Sequence, residues 1–419
     1  ASLDLNNALI RSYLGKAYYE EKRESLSATQ FATAKQLDPM DPTPWFYDAI
    51  LKQSVNRPVE ALADMQKSIA LNDNRAVYRS KLLLDEDLAA RSASQGRIYG
   101  DLGFSALGLV EAWKSVNTDP TSFSAHRLMA DLYASEPRHK IARVSEVLQS
   151  QLLQPININP VQPQFAESNL NIYKGAGPAN PSYNEYNPLF NRNQVSLQAS
   201  GVAGQKGIWG DEVTISAIYD RLSFSAGQFY YASDGFRTNN DQTKEIYNFF
   251  AQGMLSYQTS LQFEARYTDH QYGDLPLLYD PNWYFSDQRQ TDRVRYFRGG
   301  LHHSFAPGHD VILNFSYNND DYRAHIHIPP VIDPGNLTVD LLSDMEDDPK
   351  GYLAEAQYLF RSNLFRAVVG GGYADISSTF SDNTQLTFLI DGIPLFGDQS
   401  QSSLDYSIHH WNTYAYTYT

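Results

Sequence analysis

The chain has 419 residues, too many for one ordinary domain, and a net charge of −15, which argues against a protein that wraps a nucleic-acid backbone. It contains no cysteine, which excludes disulfides, thiolate metal sites and a cysteine nucleophile. No stretch approaches the roughly 18 apolar residues of a membrane helix, but a β-barrel stays open, because its alternating strands are polar on average.

The opening Ala1-Ser2-Leu3-Asp4 has neither a basic start nor an apolar core, as expected of a processed chain or a fragment. Residues 1–153 read as helix with an internal period of 34. At that spacing Leu37 meets Leu71, Phe31 meets Met65, Ser27 meets Ala61, Tyr13 meets Tyr47 and Gly15 meets Ala49; farther on, Gly96 meets Ala130 and Tyr99 meets Tyr133. The closing Asp38-Pro39 returns at Asp119-Pro120, two periods plus about 13 residues later, so the register is interrupted once. A generic helical bundle is the alternative.

The segments LGKAYYEEKRESLSATQFATAKQLDP and NRPVEALADMQKSIALN resemble tetratricopeptide repeats. Gly15, Tyr18, Phe31, Ala34 and Pro39 match the family's positions in the first unit. The second unit keeps Trp45, Ala49 and Ala61 but places Lys52 where a tyrosine is usual. The resemblance implies a solenoid with a concave surface for an extended peptide or partner protein. By register, Ser12, Lys16, Tyr19, Phe46, Ile50 and Gln53 should face that groove. Alternatively, so few repeats form a rigid dock.

Residues 154–192, rich in Pro, Asn and Gly, read as a linker. From residue 193 onward the period becomes 2, and ten strands are expected, over 195–201, 212–220, 222–231, 246–257, 259–267, 294–305, 311–318, 351–360, 363–373 and 411–419. The stretch Glu355–Tyr373 shows the pattern: Ala356, Tyr358 and Phe360 alternate with Glu355, Gln357 and Arg361. Leu359 and Val368 are apolar exceptions on the otherwise polar face.

Short turns near Asp220-Arg221, Gln258-Thr259, Pro307-Gly308 and Ser362-Asn363 alternate with longer loops, expected over 232–245, 274–293, 325–350 and 378–409. That asymmetry, strands of about 8 to 12 residues, and aromatics such as Phe229-Tyr230-Tyr231 near strand ends fit a transmembrane barrel. The apolar face then meets lipid; a soluble β-sandwich is the alternative. Glu264, Arg266, Arg298, Glu355 and Arg366 should line the lumen, and the helical repeats should lie on the short-turn, periplasmic rim. Further strands are expected beyond Thr419.

No phosphate-binding loop, zincin motif or nucleophile elbow is present in the sequence. Gly370-Gly371-Gly372 suits a barrel bend or a close approach to a plug. His325 and His327 share one strand face and are weak metal candidates; the acidic run Asp340, Asp344, Glu346, Asp347 and Asp348 lacks the ligand spacing of a calcium loop. Glu264 and Glu355 lie on strands with two others between them, too far apart for an acid–base pair. No enzyme activity and no cofactor are expected.

The expected fold class is α + β and multidomain: an N-terminal α-helical tetratricopeptide-like solenoid (1–153), a linker (154–192) and an antiparallel transmembrane β-barrel (193–419). This order resembles the exporters of bacterial exopolysaccharides and the translocators of surface lipoproteins, though the solenoid is shorter than in the former. The resemblance implies a Gram-negative outer-membrane location, a porin-like pore or exporter, and an envelope protein docked on the repeats. The alternative is a structural or adhesive surface protein anchored by the barrel. Expected partners are outer-membrane lipid and an envelope protein, with homo-oligomers allowed and no nucleic acid.

Overall fold

The computed structural model describes residues 4, 6–21, 23–78, 84–133, 140–156, 193–275, 284–330, 335–362 and 365–418. Most of the expected linker lies outside the described residues.

The 34-residue period resolves into antiparallel helix pairs: α1 (Ala8–Glu20) with α2 (Glu24–Leu37), and α3 (Pro42–Ser54) with α4 (Pro58–Ala70). After the short α5 (Arg75–Tyr78), α6 (Leu84–Asp101) pairs with α7 (Ser105–Thr118), and α8 (Phe123–Tyr133) with α9 (Lys140–Leu153). Local chemistry starts these helices. The Asn7 side chain accepts from the Ile10 amide at 3.0 Å, and Asp41 caps α3 ahead of Pro42, whose missing N–H costs nothing in a first turn. The interruption in register lies between α4 and α6, where a 3₁₀ turn (Asn72–Asn74) and α5 intervene.

The repeat is physical as well as textual. Ser68 Oγ donates to the Pro42 carbonyl at 3.0 Å, and its counterpart Ser115 donates to the Ala89 carbonyl at 2.6 Å. Helices α2 and α7 both end on an extended aspartate, Asp38 (φ −144°, ψ 94°) and Asp119 (φ −143°, ψ 100°). Gly15 lets α1 approach α2 so closely that a Cβ there would stand 2.6 Å from the Phe31 ring. The main core joins Phe31, Phe46, Tyr47, Ile50, Met65 and Ile98.

Lys52, the departure from the family's pattern, has a partner network. With Lys35 it bridges Asp48 and Asp64, at 3.1 and 2.5 Å for Lys52 and at 2.6 and 2.7 Å for Lys35. Burial alone would raise the Asp48 carboxyl, but the two ammonium groups hold it below the usual carboxylate range.

The second half forms one sheet of eleven segments among the described residues: β1 (Gln194–Ala203), β2 (Trp209–Tyr219), β3 (Leu222–Ser233), β4 (Gln242–Ser256), β5 (Thr259–Tyr272), β6 (Arg289–Ala306), β7 (His309–Ile328), β8 (Leu337–Asp347), β9 (Lys350–Arg361), β10 (Arg366–Ile390) and β11 (Ile393–Tyr418). Each pairs antiparallel with its neighbour in an up-and-down meander, with β1 and β11 at the two edges. Segments β8 and β9 share one position between β7 and β10, β8 beside the far halves and β9 beside the near halves. Pro349 separates them, as expected of a residue without an N–H for the ladder.

Two expected loops are therefore strand. Residues 325–350 contain the end of β7 and all of β8, and 378–409 are mostly the continuation of β10 and β11. The latter two meet in a two-residue turn at Asp391 (φ 51°) and Gly392 (φ 77°), the left-handed pair a tight hairpin requires. The four expected short turns all lie on the opposite rim.

The sheet is inside out. On its outer face Leu261, Phe263, Leu313 and Phe315 are 39%, 46%, 44% and 49% exposed. Their inward neighbours Gln262, Glu264, Asn314 and Ser316 are only 7%, 2%, 7% and 5% exposed. Apolar clusters on the inner side are local, as at Phe229, Tyr231 and Ile246.

Candidate functional site

The inner face of the sheet is covered in part by the helices themselves. At the short-turn rim, Arg361 on β9 reaches Glu86 at the start of α6 at 2.7 Å and Asp119 after α7 at 3.6 Å. Arg366 on β10 pairs with Asp85. Deeper in, Ser145 Oγ on α9 donates to Glu355 at 2.8 Å, and Gln252 Nε2 on β4 donates to the Gln154 carbonyl at 3.1 Å.

Between these polar contacts Leu152, 2% exposed, packs on Ile312, Leu359 and Val368. The last two are the apolar exceptions on the polar face, and Ile312 of β7 completes the patch. Gly300 on β6 leaves the space: a Cβ there would stand 2.6 Å from the Leu152 side chain. The close approach of helix to sheet thus occurs at Gly300. Gly370 and Gly372 instead make room for Tyr414 and Asn412 of the neighbouring strand.

Glu264 and Arg298 stand directly opposite each other on β5 and β6 and form a buried ion pair, with Asn248 Nδ2 donating to the carboxylate at 3.0 Å. Glu355 accepts from Ser145, and Arg366 turns to the helices. Arg266 is half-buried on β5. Two strands, β6 and β7, separate the strands of Glu264 and Glu355.

The expected groove is different. Ser12, Phe46, Ile50 and Gln53 are at most 3% exposed, so they present no surface to a partner. Phe46 and Ile50 belong to the main core, and Gln53 donates to Asp101 of α6 at 2.7 Å. Stacking of α3 between α1 and α6 closes that side. Lys16 lies 5.2 Å from the Tyr47 ring, and Tyr19 packs half-buried against the core.

His325 and His327 are held apart by different carboxylates. His325 Nδ1 meets Asp344 at 2.6 Å, while both ring nitrogens of His327 are engaged at 2.8 Å, by Asp287 and Asp340. Asp321, Glu346 and Asp348 cluster within 4.8 Å, but Arg323 already pairs with Asp321 and Glu346, each at 3.0 Å. Within the helices, His126 is buried between the Glu146 carboxylate (2.5 Å) and the Pro120 carbonyl (2.9 Å). Burial pushes its pKa down, but these two acceptors outweigh that and raise it above the usual histidine value.

No family model matches the chain, and no curated protein matches it. Solved structures do. A chain of the APC/C heterotetramer Cut9–Hcn1 is 15% identical over 36% of this chain and 28% of its own length, with a TM-score of 0.31. The ferripyoverdine receptor of the outer membrane of Pseudomonas aeruginosa is 14% identical over 53% of this chain and 34% of its own, with a TM-score of 0.41. BauA, the ferric preacinetobactin receptor from Acinetobacter baumannii, is 8% identical over 54% and 44%, with a TM-score of 0.38. The chain thus spans 28% of the first and 34% and 44% of the receptors, and these likenesses concern parts of the fold alone.

Proposed function

We propose that this chain is the repeat domain and adjoining wall of an outer-membrane transport barrel, with the repeats acting from the periplasmic rim. The inside-out sheet carries this reading. Water makes the burial of Glu264, Gln262 and Asn314 beneath exposed Phe263 and Phe315 unfavourable, whereas lipid outside and a polar lumen inside make it the expected arrangement. Strands of this length, joined by tight turns on one rim, support the same reading. The repeats then seat on the inner wall through Leu152 and the Arg361 and Arg366 ion pairs, so they act as a gate for the lumen, whatever envelope protein also engages them.

The test is conductance of the complete, detergent-folded protein in a planar bilayer, beside a Leu152→Glu variant that places a charge on the apolar patch. The variant is expected to open stable currents that the parent shows rarely. A folded, heat-modifiable barrel that stays silent with the helices released would overturn transport in favour of a structural anchor.

A further inference from the structure

Beside the Leu152 contact, α7, α8 and α9 stand off from the inner face of β9, β10 and β11 and leave a cavity of about 450 Å³. This is within the usual range for a small-molecule site. Five aromatic residues line it, Trp113 and Tyr133 from the helices, Tyr373 from β10, and Tyr414 and Tyr416 from β11. Its floor is the Glu355 carboxylate beside the Gln357 amide.

The chemistry of that floor is one-sided. Glu355, 8% exposed, accepts from Tyr414 at 2.5 Å, Ser145 at 2.8 Å, Gln357 at 3.0 Å and Asn314 at 3.5 Å. All four donors are neutral. Among the described residues no lysine or arginine lines the cavity. Gln357 is 4% exposed, and its Oε1, an acceptor, has no hydrogen-bond partner among the described residues. The second carboxylate of the wall, Glu146, is matched by His126. A buried carboxylate without a counter-cation, an idle carbonyl and a ring of aromatic faces all favour the same guest.

We propose that this cavity binds an organic cation, an ammonium or guanidinium group that lies against Trp113 and the tyrosines and sets its charge on Glu355. A phosphate or carboxylate ligand would meet two carboxylates, and a neutral sugar would leave Glu355 uncompensated. The group can belong to a free amine or to the basic side chain of a peptide. The proposal goes beyond the transport reading, since the cavity would bind its guest whether the lumen conducts or not.

The test is calorimetric titration of the full, folded chain with three probes: choline, a capped Gly-Lys-Gly peptide and maltose. Choline or the peptide is expected to bind, and whichever binds identifies the source of the cation. Glu355→Gln should weaken that binding about tenfold or more, as one lost charge–charge contact in a partly buried site implies. Because Glu355 also helps seat α9, Trp113→Leu serves as the second variant: this residue is 46% exposed, so its replacement should spare the fold while still weakening the cation. Heat-modifiable migration checks folding in each case. Absence of binding by both cations, equal binding of maltose, or cation binding untouched by both variants would overturn the proposal.

Discussion

The helical repeats and the sheet bury opposite kinds of surface. In the repeats Phe31, Ile50 and Met65 are at most 1% exposed, as water demands. In the sheet the interior is Glu264, Arg298 and Ser316, while Phe263, Phe297 and Phe315 look outward. On the proposed reading one chain thus follows two solvation rules, and the change falls where the sequence period passes from 3.6 to 2. Apolar residues mark the inside only where water is outside.

The sharpest way to break the comparison is to delete a large side chain from the repeat core. Phe31→Ala, which also leaves the Gly15 contact empty, should cost about 3–5 kcal/mol, read as a fall in the urea midpoint of the helical signal. A loss below about 1 kcal/mol would mean that these helices have no water-type core. On the sheet the expected penalty comes from charge. Leu313→Arg, on the outward face, should cost about 2–4 kcal/mol when the protein is folded in lipid bilayers. If unfolding from vesicles is unchanged, the outer face does not meet hydrocarbon and the inside-out reading fails.

The smallest effect sharpens the comparison within the helices. His126 has a raised pKa in the folded chain, so its contribution is fully present below the ordinary histidine value near 6.5. It is lost as pH rises through the folded pKa. Thermal unfolding of the α8–α9 pair should therefore weaken over that window above pH 6.5, and His126→Gln should flatten the slope. A parent protein with the same flat profile would show that His126 is not held as the imidazolium.

Much of this architecture was legible. Gly15, Phe31 and Asp38-Pro39 carry the repeat because close helix packing and helix termination depend on residues near in sequence. The short turns at Asp220 and Gly308 were legible because a left-handed backbone selects such residues, with φ of 50° and 76°. Strand β8 escaped because its acidic residues mask the alternation and Pro349 breaks the run. Four of the groove residues, Ser12, Phe46, Ile50 and Gln53, were misplaced because a helix's core-facing and concave positions lie within one turn of each other, and only the stacking partner tells them apart. The docking patch was half visible. Leu359 and Val368 stood out as apolar on a polar face, but nothing local connects them to Leu152, roughly two hundred residues earlier in the chain.

That patch also bears on the order of assembly. Ile312, Leu359 and Val368 come from three strands and share one face only when β7, β9 and β10 are in correct register. A slip of one residue in any of them would send its patch residue to the outer face and present α9 with a side chain of another shape, Val311 or Leu313, Tyr358 or Phe360, Ala367 or Val369, while inward polar residues such as Asn314 and Gln357 turned outward. The helices, built from contacts close in sequence, can form before the sheet exists, but Leu152 finds its seat only on a finished wall. The seat of α9 therefore depends on the register of three strands that lie far from it in the sequence.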